Sequence, residues 1–131
     1  MKRGEQKMPK EKILLVEDNP MNRRVAEFLL KSQGYLVYEA RDGQEAIELA
    51  KMHAPDLILM DLQLPGMDGF ATTRLIKGDA AIKNIPIVAL TAYAMRGDAE
   101  RALNAGCAGY ITKPIDPDQF PATVASYLKK A

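Results

Sequence analysis

Four short apolar runs punctuate the chain: Ile13-Leu14-Leu15-Val16, Leu57-Ile58-Leu59-Met60, Ile87-Val88-Ala89-Leu90 and the weaker Tyr110-Ile111. The first three are continuous rather than alternating, the pattern of strands buried on both faces of a parallel sheet. Leu36-Val37-Tyr38 is a fifth, less apolar candidate, as suits an edge strand. Helical periodicity fills the intervals. Residues 21–33 place Val25, Phe28, Leu29 and Ser32 on one face ahead of Gly34. Residues 43–53 gather Ala46, Ile47, Ala50 and Ala54 between a capping Asp42 and Pro55. Residues 70–77 form a short helix stopped by Gly78, and residues 95–105 turn Met95, Ala99, Ala102 and Leu103 inward before Gly106. Residues 118–130 align Phe120, Val124, Tyr127 and Leu128, with Pro121 tolerated in the first turn. Five β-α units predict an α/β fold with a parallel sheet and right-handed crossovers. Five are too few for an eightfold barrel, which leaves an open, doubly wound sheet.

Composition narrows the classes of function. The chain has 131 residues, the length of one domain. One cysteine, Cys107, excludes an internal disulfide, and with a single histidine, His53, a standard zinc site is excluded as well. A net charge of +1 argues against a nucleic-acid partner held by bulk charge, and no apolar run reaches membrane-spanning length. The basic side chains Lys2, Arg3, Lys7, Lys10 and Lys12 cluster at the start, so the remainder is slightly acidic. Residues 1–10 are read as a basic leader and residues 11–131 as the folded domain of a soluble, cytoplasmic protein without membrane or nucleic-acid partners.

In open α/β sheets, ligands bind beyond the carboxyl ends of the strands. Glu17 and Asp18 follow the first run, Asp61 the third, Thr91 the fourth, and Lys113 with Pro114 the fifth. A strand order that puts strand 1 beside strand 3 brings the three acids together. Two like charges about 4 Å apart cost on the order of 4 kcal/mol at an effective dielectric near 20, so compensation is required. Lys113 supplies one positive charge, and an oxygen-only donor set suits magnesium. A cation, a lysine and a hydroxyl around a carboxylate form a site able to accept a phosphoryl group.

These residues stand in Val16-Glu17-Asp18-Asn19, Leu59-Met60-Asp61-Leu62-Gln63-Leu64-Pro65-Gly66-Met67-Asp68-Gly69, Leu90-Thr91-Ala92 and Tyr110-Ile111-Thr112-Lys113-Pro114. In content, order and spacing, over residues 11–130, they resemble the receiver domain of two-component response regulators, a CheY-like, flavodoxin-like (βα)5 fold of strand order 2-1-3-4-5. The resemblance implies that Asp61 is the phosphoacceptor. It implies magnesium held by Glu17, Asp18, Asp61 and the backbone carbonyl of Gln63. Lys113 and the Thr91 hydroxyl would bind phosphoryl oxygens, with Tyr110 rotating as Thr91 shifts. It implies a commonly cis Lys113–Pro114 bond, and Gln63 and Tyr93 flanking the path of hydrolytic water. The donor would be a histidine kinase or histidine phosphotransfer protein docking on Met21, Asn22, Val25, Pro114 and Ile115. A downstream effector protein would read the face formed by the fourth helix, fifth strand and fifth helix through Met95, Ala99, Tyr110 and Asp116. Asn19-Pro20-Met21-Asn22-Arg23-Arg24 looks like receivers of phosphorelays and hybrid kinases. Thr91-Ala92-Tyr93-Ala94-Met95-Arg96-Gly97-Asp98 with Gly106-Cys107 is similar to DivK-type single-domain regulators. The favoured expectation is a stand-alone receiver that works by protein contacts, with the receiver piece of a hybrid kinase as the alternative.

Other readings stand beside this one. A dehalogenase-like phosphatase needs an acid two residues after its nucleophile, where this chain has Gln63. A flavin-binding domain needs a phosphate loop of hydroxyls and amides, where this chain has Glu17 and Asp18. A receiver-like module that binds without being phosphorylated differs only in its response to phosphate. Asp56 reads as structural, Asp68-Gly69 as a turn opening a helix, Cys107 as buried filler and His53 as a surface helix residue. Met67 and Met95 read as packing or contact residues.

Overall fold

In the computed structural model, which describes residues 10–130, the apolar runs are the strands of one parallel sheet. They are β1 (Lys12–Val16), β2 (Leu36–Ala40), β3 (Leu57–Asp61), β4 (Ile87–Thr91) and β5 (Gly109–Thr112), ordered β2-β1-β3-β4-β5. The helices are α1 (Pro20–Ser32), α2 (Gly43–His53), α3 (Gly69–Lys77), α4 (Asp98–Ala105) and α5 (Phe120–Lys130). Every residue of β3 and β4 is buried, while the edge strand β2 is mostly half-exposed. Alternate residues of β1 feed two cores. Ile13 and Leu15 pack with Ala26 and Leu30 of α1 and Phe120 and Val124 of α5. Leu14 and Val16 pack with Ala46 and Ala50 of α2, Ile76 of α3 and Ala102 of α4. Each buried Leu, Ile or Phe contributes roughly 1.5–3 kcal/mol, so a continuously apolar strand anchors both layers at once. Residues 1–9 of the expected leader lie outside the described residues.

Short polar side chains start the helices where the chain leaves the site. Asn19, Asp42 and Asp68 each accept a hydrogen bond from the backbone N–H three residues on, capping α1, α2 and α3. Gly69 follows the last cap in close quarters. A Cβ there would meet the carbonyl of Asp61 and lie 2.7 Å from Leu62 Cα. Only a residue without a side chain lets α3 begin directly against the end of β3.

Three sequence expectations are corrected. Helix 95–105 is divided: Gly97, at φ +92°, separates a single 3-10 turn (Ala94–Arg96) from α4. Met95 is consequently 99% exposed rather than inward, and Leu103 also faces solvent, leaving Ala102 and Ala105 as the buried residues of α4. On α1 the buried positions are Ala26 and Leu30, whereas Val25, Phe28 and Ser32 are exposed. Helix side chains lean toward the amino terminus, and the packed stripe runs one residue off the face defined by the larger apolar groups. His53 is not a free surface residue, because its ring stacks on Tyr38 at 3.9 Å.

The contact at Gly69 yields a test. Gly69→Ala is expected to destabilise the fold by about 1–3 kcal/mol, the usual cost of overpacking. A lowered urea midpoint with unchanged slope checks it.

Candidate functional site

Parallel register puts the ends of β1, β3 and β4 side by side, because Val16 pairs with Met60 and Asp61 with Leu90. Each next residue then opens onto one crevice. Carboxylate oxygens of Glu17, Asp18 and Asp61 all lie within 4.8 Å of one another. Glu17 and Asp61 are buried at 1% and 2% exposure, while Asp18 is open to solvent. Across the crevice Lys113 extends from the end of β5, its Nζ 3.1 Å from Asp61 Oδ1 and 3.6 Å from Glu17 Oε1. The backbone N–H of Lys113 donates to the Thr91 carbonyl, and the Lys113–Pro114 peptide is cis. Backbone amides share in holding the acids, with Gln63 N–H donating to Asp61 Oδ1 at 3.0 Å and Asn19 N–H to Glu17 Oε2 at 3.2 Å.

The charge is unbalanced, with three carboxylates facing one ammonium. The imbalance shows on Glu17, whose pKa is pushed up to about 7 by burial first, then by the hydrogen bond and charge of Asp61. Lys113 and the Asn19 amide pull the other way without overcoming it. A divalent cation beside these carboxylates would relieve the same excess of negative charge that raises Glu17. An all-oxygen donor set, partly buried and partly open, fits magnesium, which keeps several of its own waters.

Thr91 is buried at the end of β4. Its hydroxyl accepts from Tyr93 N–H at 2.9 Å and makes a long contact, 3.4 Å, to Asp98 Oδ2 at the start of α4. Asp98 in turn faces Arg101, whose guanidinium lies 4.0 Å over the Phe70 ring at the start of α3. Gln63, Tyr93, Asp98 and Arg101 line an open groove of about 510 Å³ beside the crevice. Tyr110 is 41% exposed and lines a second groove with Pro114, Asp116 and Tyr127. Met21 and Val25 form an exposed apolar stripe on α1 with Phe28.

Two participants were not singled out as candidates from the sequence. Arg23, on α1, donates to the carbonyls of Glu17 at 3.0 Å and Asp18 at 3.3 Å. Asp98 engages the Thr91 hydroxyl. Their spacing carries the signal: a side chain in the first turn of a helix leans back over the loop that precedes it.

The response regulator receiver domain model matches residues 13–125. The chain belongs to the response regulator receiver family. This receiver is 45% identical over 124 residues to the polar-differentiation response regulator DivK of Brucella anthropi, covering 95% of this chain and 100% of that protein. It is also similar to the receiver domain of the sensor histidine kinase PA1611 of Pseudomonas aeruginosa, with TM-score 0.86 and 40% identity, covering 92% of this chain and 99% of that one. That structure has a magnesium ion coordinated in its active-site cleft. The chemotaxis response regulator CheY4 of Vibrio cholerae superposes with TM-score 0.85 at 28% identity, over 91% of this chain and 99% of that one. The protein is thus a receiver of two-component signalling with the CheY-like fold. Among the described residues, no helix is long and apolar enough to cross a membrane.

The raised pKa of Glu17 fixes the sign of a pH effect. Between its ordinary value of 4.5 and about 7 the folded receiver holds a proton that the unfolded chain has released. This contribution to stability is full below the lower value and is lost as pH rises through the upper one. In chelator, the melting temperature is expected to fall from about pH 5 to about pH 8 by more than in Glu17→Gln, which has no proton to lose. Thermal melts of both proteins across that range check it.

Proposed function

We propose that Asp61 accepts a phosphoryl group from the phosphohistidine of a histidine kinase or histidine phosphotransfer protein. One observation carries the reading: Asp61 is buried at the end of a central strand, among two further carboxylates and 3.1 Å from the Lys113 ammonium. A lone buried carboxylate would be a poor nucleophile and a poor host for phosphate, and this setting alters both properties. Glu17, Asp18, Asp61 and the Gln63 backbone carbonyl would hold magnesium, as the acidic cluster and the magnesium-bearing PA1611 receiver support. When bound, the ion supplies positive charge to the oxygens of the transferring group.

An Asp61 oxygen forms the new P–O bond in line as the P–N bond to the donor imidazole breaks and its electron pair leaves with the ring. Lys113 sits to neutralise one phosphoryl oxygen. Thr91 donates its hydroxyl to another, and since a hydroxyl has one proton, that bond replaces the contact to Asp98. The start of α4 is thereby coupled to the site, and Tyr110 responds on the α4-β5-α5 face, where a downstream effector protein binds together with Met95, Ala99 and Asp116. The donor docks on Met21, Asn22 and Val25 with Pro114 and Ile115. The chemistry ends with the receiver's own phosphorylation and dephosphorylation, in the cytoplasm, and residues 11–131 form the working domain.

Intact-mass measurement after incubation with magnesium and a small phosphodonor tests this reading. The wild type is expected to gain one phosphoryl group, with Asp61→Asn and chelator each removing the gain. Equal phosphorylation of Asp61→Asn would overturn the assignment.

A further inference from the structure

The loop carrying Glu17 and Asp18 is held at several points. The N–H of Glu17 donates to the carbonyl of Ala40, the last residue of β2, at 3.0 Å. The Glu17 side chain accepts from Asn19 N–H. From α1, Nη1 of Arg23 donates to both loop carbonyls, Glu17 O at 3.0 Å and Asp18 O at 3.3 Å. The Arg23 side chain is only 19% exposed, and its Nε lies 3.6 Å from Oε1 of Glu39 on β2. Glu39 pairs in register with Leu15, two residues before Glu17. A single side chain thus ties the helix after the loop, the loop itself and the neighbouring edge strand.

We infer that Arg23 is a positioning residue for divalent-cation binding: with Glu39 orienting its guanidinium, it sets the Glu17–Asp18 backbone so that both carboxylates reach the crevice. This rests on the magnesium reading of the acidic cluster. The planar guanidinium suits the task, because its donors diverge in a fixed fork toward the carbonyls on one side and a carboxylate on the other. A lysine would bring charge without that fork. The alternative role for a nearby arginine is that of a counter-charge to the acids, and the two roles predict opposite signs. Removing a counter-charge would tighten the cation, whereas removing a positioning group loosens it. Partners that orient ligands commonly govern about 10–100-fold in metal affinity.

The decisive measurement is magnesium titration by calorimetry on the full chain, with the metal-free urea midpoint of each variant recorded. Arg23→Gln is expected to weaken magnesium about 10-fold and Arg23→Lys to recover only part of the loss. Glu39→Ala weakens it less. The double variant Arg23→Gln/Glu39→Ala is no weaker than Arg23→Gln alone, because Glu39 acts through Arg23. Arg24→Gln, at the exposed neighbouring position, retains the wild-type affinity. Unchanged or tighter binding by folded Arg23→Gln overturns the inference while leaving the magnesium reading intact. Absence of binding by the wild type overturns both. If Arg23→Gln fails to fold, Glu39→Ala decides, and wild-type affinity in that variant overturns the inference.

Discussion

Two carboxylates removed from water and facing a single ammonium set the terms for the rest of this structure. Glu17 and Asp61 are almost wholly buried, and Lys113 lies within 3.6 Å of both. At such separations a like-charge pair costs on the order of 4 kcal/mol even at an effective dielectric near 20. The fold tolerates this through one lysine and backbone amides, and the residual repulsion reappears with burial as the upward shift of Glu17. With Asp18 beside them the carboxylates outnumber the ammonium three to one, and a site so short of positive charge is prepared for a cation. A parallel sheet suits it, because adjacent strand ends bring side chains from distant parts of the sequence to one edge without a loop having to carry them.

Holding that edge requires stiffness immediately behind it. The caps at Asn19 and Asp68 start helices within a few residues of the acids, and Gly69 lets α3 begin against the Asp61 carbonyl. Lys113 is fixed by its N–H to the Thr91 carbonyl, so the lysine and the hydroxyl residue share one backbone anchor. The loop after β4 is built differently. The Gly97 break and the exposed Met95 leave a short irregular segment between Thr91 and α4. The acids stand beside capped helix starts, whereas the Thr91 side of the crevice leads into an irregular segment.

Continuous apolar runs made the strands legible, and strand-end polar residues made the crevice legible, because both follow from rules local to a few residues. The 2-1-3-4-5 order came from family resemblance, since apolar runs alone allow other orders that set strand 1 beside strand 3. The failures share a cause. Met95 and Leu103 near α4 read as inward because they are large and apolar, whereas the structure buries the small Ala102 and Ala105. Close helix–sheet packing favours Ala26 and Ala102, and the bulkier residues are left on surfaces facing outward. Arg23 and Asp98 are harder to read because charged helix residues are usually solvated, so first-turn spacing hints at a reach into the loops that the fold makes definite.

The chemistry of the groove separates a receiver from a phosphatase built on the same acids. Turnover on small phosphate esters needs an acid free to protonate a leaving group. Position 63, where such an acid would stand, carries an amide that is exposed and cannot do so. The two acids that do line the groove are already engaged. Asp68 accepts from Ala71 N–H as the cap of α3, and Asp98 is held between Thr91 and Arg101. An aspartyl phosphate formed here would be surrounded by groups that stabilise its charge and, among the described residues of the groove, by no free acid placed to speed the departure of an ester. That arrangement suits transfer from a donor imidazole, which needs no strong acid to depart.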